Sequence, residues 1–329
     1  MSEAKKVTDA QVTGFRDLRR QLVPAVADAE AQPLIPFPYL MLLPMPHYRT
    51  ATANADSHGF RVSIKNGTRL SLRKVRDAAV KKGIVLGNGQ IWVTGATSDD
   101  AVVHNVLNQR RAGEFWCSLA LRATNLTQER VAAELFAPLD VRYAVWISGS
   151  RFLNGAMTTA SHAKHIPASG PNYTSILGLD QSSDHESVDI DRRFQQVIDL
   201  FDREMEIYAR TFRATALDIP FGLQPILDYC GKRHSPEERA ILNSQLNENG
   251  VPSVDPEVVR QFKNEFVKRA RVICANHGVC FLDMSAEPEF QVPEWLFVDG
   301  VHLTDAGHVA LASVVSRHLK KDPDPIRSL

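Results

Sequence analysis

Cysteine is scarce in this chain: Cys117, Cys230, Cys274 and Cys280 are the only four among 329 residues, and no two form a Cys-x-x-Cys pair. That argues against a disulfide framework or a cysteine-built zinc site and predicts buried thiols. An excess of charge is missing too. Lys and Arg number 38 and so do Asp and Glu, for a formal net charge of 0. No global field therefore draws the chain to nucleic acid or an anionic membrane. Long apolar runs are also absent. The strongest, Pro33-Leu-Ile-Pro-Phe-Pro-Tyr-Leu-Met-Leu-Leu-Pro-Met-Pro46, is broken by five prolines and falls short of the roughly 20 apolar residues of a membrane helix. It is expected to pack on the domain as a hydrophobic clasp. Met1 to Arg20 is charged, without the apolar centre of a signal peptide. A cytoplasmic protein acting on a small molecule is expected, with no nucleic-acid or membrane partner.

What is present is an ordinary globular composition, 44% hydrophobic and 23% charged. Residues 1–54 read as an N-terminal extension, with one short amphipathic helix near 8–30 and then the proline-rich run, and 55–329 as an α/β domain. From about residue 91, short apolar runs alternate with segments of helical period. The runs are Ile91-Trp-Val-Thr-Gly95, Phe115 to Leu121, Val141 to Gly149, Ala216 to Gln224 and Val279 to Asp283. Each is apolar on both alternating sets, as in strands covered on both faces. Helices are expected after Thr127, after Ser235-Pro-Glu-Glu238 with its capping-box spacing, after Asp255-Pro-Glu257 and after Thr304-Asp305. Alternating strands and helices imply a doubly wound three-layer α/β fold with a parallel sheet, and ligands in such folds sit beyond the carboxyl ends of the strands. The stretch 154–189, rich in Gly, Ser and Asn, is expected to form a long active-site loop.

Near the end the chain reads Phe297-Val-Asp299-Gly-Val-His302-Leu-Thr-Asp-Ala-Gly-His308. An Asp three residues before a His can accept an imidazole N–H, fix the tautomer and leave the other ring nitrogen as a base. His308, inside the helix, reads as structural, and His104 as packing or facing solvent. His162-Ala-Lys-His165 has metal-like spacing but no nearby carboxylate, and no metal is expected there. Asp184-His185-Glu186 is expected to be solvated.

The chain resembles the SGNH/GDSL hydrolase superfamily over roughly residues 55–320. The resemblance rests on Asn54-Ala-Asp-Ser-His-Gly-Phe-Arg61, on Gln224-Pro-Ile-Leu, and above all on Val298-Asp-Gly-Val-His-Leu-Thr-Asp-Ala-Gly-His308. It implies a flavodoxin-like five-stranded sheet and acyl chemistry without a cofactor on a small ester, thioester or amide. Its Gly-x-Ser block, expected after the first strand, falls on Gly95-Ala-Thr97, with Ser98 one residue displaced and an apparently shortened loop running into Asp99-Asp100. The oxyanion glycine falls on Ala120. The Gly-x-Asn block becomes Gly149-Ser150-Arg151, with a fixed cation in place of an amide donor.

Three readings stay open. Thr97 or Ser98 is a nucleophile, with His302 the base, Asp299 its orienter and Arg151 an altered oxyanion donor. Alternatively the site is repurposed in a non-hydrolytic biosynthetic enzyme: the Asp299–His302 pair acts alone as a general base, in proton abstraction, elimination or water activation, with Arg151 holding an anionic substrate. In the third, the fold is an inactive binding module.

Overall fold

The computed structural model describes residues 14–92, 94–122, 124–149, 190–249 and 256–320. The N-terminal part forms two short helices, α1 (Phe15–Leu22) and α2 (Ala25–Ala31), instead of the single helix expected. Pro24 separates them, because proline lacks the N–H that a continuous helix needs there. The proline-rich run becomes a two-stranded antiparallel hairpin, β1 (Leu34–Phe37) and β2 (Met41–Pro44). It sinks Leu40 and Leu43 into the core, so the run does act as a clasp. A second small hairpin, β3 (Ser63–Lys65) with β4 (Thr68–Leu70), precedes the helix α3 (Leu72–Asp77).

The first strand of the main sheet is β5 (Lys81–Gly87), a segment absent from the sequence reading. The expected strand at Ile91–Gly95 is instead a single helical turn, α4 (Gly89–Trp92), whose apolar Ile91 and Trp92 are fully buried. Then follow α5 (Val103–Arg110), β6 (Glu114–Ser118), α6 (Leu126–Phe136), β7 (Val141–Ser148), α7 (Ile190–Phe212), β8 (Phe221–Leu223), α8 (Pro236–Asn249), α9 (Pro256–Asn276), β9 (Phe281–Asp283) and α10 (Asp305–His318). Three of the other four strands fall within the expected runs, and β6 starts one residue before its run, at Glu114. α6 starts at Asn125 rather than Thr127: the Asn125 side chain and the Gln128 side chain each accept the other's backbone N–H at 3.0 Å.

All pairings in the sheet are parallel, in the order β6-β5-β7-β8-β9. Numbered along the sheet's own strands this is 2-1-3-4-5, the flavodoxin-like doubly wound order implied by the resemblance. Alternate strand residues serve opposite cores. Ile84, Leu86 and Trp146 pack with Phe201, Met205 and Phe266 of α7 and α9. Val85, Val145 and Ile147 pack with Val106, Leu107, Leu311 and Val315 of α5 and α10. Among the cysteines, three are buried and Cys280 is exposed, one departure from the expected pattern. No described helix is long and apolar enough to cross a membrane.

Candidate active site

At the carboxyl edge of the sheet, residues 296–304 form a tight loop with Asp299 and His302 at its tip. The loop closes on itself through Val298 N to His302 O at 2.8 Å and Thr304 N to Leu296 O at 2.9 Å. Thr304 then caps α10, accepting from Gly307 N at 3.2 Å. Two glycines make this compactness possible. A Cβ on Gly307 would lie 2.3 Å from Leu296 O, and one on Gly95 would lie 2.2 Å from Leu303 O. Behind the loop, Glu238 of α8 accepts from Leu296 N at 3.0 Å and Phe297 N at 3.2 Å. Glu238 also closes the expected capping box with Ser235, at 2.9 and 3.2 Å. It pairs with buried Lys232 at 2.8 Å.

The Asp299 carboxylate is 5% exposed and fully engaged. One oxygen accepts from Val301 N at 2.8 Å and His302 N at 2.7 Å, and the other meets His302 Nδ1 at 2.7 Å. Burial pushes its pKa up, but the His302 ring, the Arg19 guanidinium and the backbone N–H donation outweigh this and hold the carboxyl well below its usual range. An ionised Asp299 places the shared hydrogen on Nδ1 and leaves the lone pair on Nε2. Arg19, from α1, stands 3.3 Å from the same Asp299 oxygen.

Nε2 faces the end of the first strand. A Cβ built on Gly89 would sit 3.6 Å from it, with no other heavy atom of the described residues outside its own turn within 4 Å. With β5 ending at Gly87, the first-strand block Gly-x-Ser falls on Gly87-Asn88-Gly89, and the position expected of the serine holds glycine. The loop is not shortened: counted from Gly87 it contains Gly95 and reaches Asp99 eleven residues after Asn88.

Side-chain amides stitch the strand-end loops together. Asn88 Nδ2 donates to Gln224 Oε1 at 2.6 Å. Gln90 Nε2 donates to Pro225 O at 2.8 Å and to Val301 O, and Leu227 N donates to Gly300 O at 3.0 Å. The Gln224-Pro-Ile-Leu segment thereby holds both the Gly89 turn and the Asp299 loop.

The other expected site residues lie elsewhere. Thr97 donates its backbone N–H to Asp305 Oδ1 at 2.8 Å and its hydroxyl to Asp305 Oδ2, in an exposed turn. It is thus tied to the first turn of α10, and Ser98 follows it as the residue preceding the 3₁₀ turn at Asp99–Ala101. Gly95 serves close packing, as above. Ala120 is fully buried, and its N–H is taken by Ser118 Oγ at 3.2 Å, so it does not point an open donor at the site. Ser150 and Arg151 lie outside the described residues, as do the 154–189 stretch and its His162, His165, Asp184, His185 and Glu186. Asp99 is committed to the Asn54–Arg61 block. It binds Arg61 Nε at 2.6 Å and Asn54 Nδ2 at 2.6 Å, anchoring the Asn54–Arg61 block to the domain. His104 and His308 are fully buried, and burial pushes both down to about 3. No group of three or more metal-ligating side chains occurs among the described residues.

The fold and this loop define a doubly wound parallel α/β protein with an Asp–His dyad at the strand ends. No family model matches the chain, nor does any curated protein. Solved structures similar to it include an extracellular lipase from Streptomyces rimosus (10% identity, 73% of this chain and 100% of that one, TM-score 0.44). Others are an acetyl xylan esterase from Geobacillus stearothermophilus (12%, 74% and 97%, TM-score 0.43) and phospholipase A1 from Streptomyces albidoflavus NA297 (13%, 73% and 100%, TM-score 0.43).

Proposed function

We propose that this protein is an SGNH-like enzyme that hydrolyses a small acyl ester, thioester or amide by general-base catalysis, without a covalent acyl-enzyme. The observation that carries the reading is the ring nitrogen of an oriented, Asp-bound histidine facing a glycine where the resemblance leads one to expect the nucleophilic serine. The space over Gly89 then belongs to water. His302 Nε2 takes a proton from that water as its oxygen bonds to the acyl carbon. The tetrahedral oxyanion collapses, the bond to the leaving oxygen, sulfur or nitrogen breaks, and the imidazolium returns the proton to the leaving group. Ionised Asp299 stabilises the imidazolium formed between these steps. Neither a cofactor nor a metal enters this scheme.

The reading is tested on a panel of short-chain aryl esters, acyl thioesters and anilides. Turnover of at least one is expected, falling by about 10²–10⁴ in His302→Ala. A wild-type protein that turns over none of them, or a variant as active as wild type, refutes it.

A further inference from the structure

Arg19 has no role in the sequence reading, yet the structure places it directly behind the dyad. Its side chain is 8% exposed, and its Nη2 lies 3.3 Å from Asp299 and 3.4 Å from Glu30 of α2. Among the described residues Nη2 and Nε have no hydrogen-bond partner, so both contacts are ionic rather than directional. The guanidinium also lies 5.2 Å from the centre of the Phe15 ring. Val23, Ala25 and Val26 pack on Val298, one residue before Asp299, fixing the N-terminal segment against the loop.

We propose that Arg19 is a positioning residue: together with Glu30 it completes an alternating chain of charge, Glu30–Arg19–Asp299–His302, through which the N-terminal helices set how tightly His302 holds its proton. The proposal rests on His302 being the base, but its consequence is read on the ring itself.

Among the described residues, the charged and titratable neighbours of His302 are few. Its own loop contributes Asp299. α1 contributes Arg19, and α2 contributes Glu30, which also meets Arg20 at 3.0 Å. α10 contributes Asp305, whose carboxylate is taken up by Thr97, and His308, neutral because burial lowers it to about 3. α4 contributes only the uncharged Gln90. Arg19 and the His302 ring share one Asp299 oxygen, so the two cations stand at most about 6 Å apart. Removing the positive charge makes the imidazolium easier to form, whereas removing Glu30 leaves Arg19 less neutralised and makes it harder.

The experiment is a titration of the imidazole nitrogens of full-length ¹⁵N-labelled protein by NMR, in wild type, Arg19→Gln and Glu30→Gln. Arg19→Gln is expected to raise the His302 midpoint by about one pH unit, and Glu30→Gln to lower it by less, because Arg20 shares that carboxylate. A purely structural role would loosen the loop in both variants and move both midpoints the same way. Shifts of the same sign, or no shift in either, overturn the proposal. If Arg19→Gln does not fold, Glu30→Gln decides alone: its carboxylate is a quarter exposed and its loss leaves Arg19 paired with Asp299. A protein inactive on every ester but showing the opposed shifts would separate the failure of the enzymatic reading from that of the charge chain.

Discussion

Gly89→Ser is the perturbation that most exposes the logic of the site. The missing side chain has room: among the described residues outside its own turn, a Cβ at position 89 would meet only His302 Nε2, at 3.6 Å. A staggered hydroxyl turned towards the ring reaches the roughly 2.6–3.2 Å at which a base takes a nucleophile's proton. The substitution also carries no folding penalty. In the first turn of a helix, replacing glycine by serine gains about 0.5 kcal/mol of intrinsic propensity, so the melting temperature should hold or rise slightly. The assay is intact-protein mass spectrometry after exposure to a fluorophosphonate. Wild type should stay unmodified, Gly89→Ser should gain one adduct, and the double variant with His302→Ala should react at least about 100-fold more slowly. A folded Gly89→Ser that takes no adduct, or a wild type that labels equally well, would refute the placement of Gly89 opposite the base.

Other consequences follow from the same geometry. His104 and His308 are held neutral in the core with pKa values near 3, while the unfolded chain protonates each below about 6.5. Their contribution is complete above that value and is lost on acidification towards 3, at up to about 1.4 kcal/mol per pH unit for each histidine. Urea denaturation at pH 7.5, 6 and 5 should show this slope, and a slope unchanged in His308→Leu would contradict it. Glu238→Gln strips buried Lys232 of its carboxylate partner, leaving it the Glu294 carbonyl, and weakens the acceptor for Leu296 and Phe297. It should cost about 3–5 kcal/mol in the same assay, and a loss below about 1 kcal/mol would refute the role given to Glu238. Thr97→Ala and Ser98→Ala should change kcat/KM by no more than about twofold, since Thr97 is bound to Asp305. A hundredfold loss in either would return the nucleophile to that turn.

The parts of the fold legible in the sequence were those whose local signals agreed with the tertiary outcome. β7 and β9 read as apolar runs, α8 and α10 announced themselves by their caps, and the Asp299–His302 spacing led to the dyad. The first strand escaped because only Ile84, Val85 and Leu86 give it an apolar centre, flanked by Lys81, Lys82 and glycines. Lys82 is nonetheless buried, paired with Asp140. The richer run at Ile91–Trp92 owes its character to burial of one helical turn, and that error shifted the nucleophile block by eight residues, from Gly89 to Thr97. Arg19, Glu30, Asn88 and Gln90 carried no readable sign. Their roles arise from contacts across long stretches of chain, such as Arg19 with Asp299, and no periodicity records them.

The dyad is expected to work without a covalent intermediate. Stopped-flow hydrolysis of an aryl acetate, with enzyme near stoichiometric amounts, reads this directly. Release of the aryl alcohol is predicted to be linear from the first turnover, extrapolating to zero at zero time, with a rate that collapses in His302→Ala. A burst approaching one equivalent per chain, or a rate indifferent to His302, would contradict it.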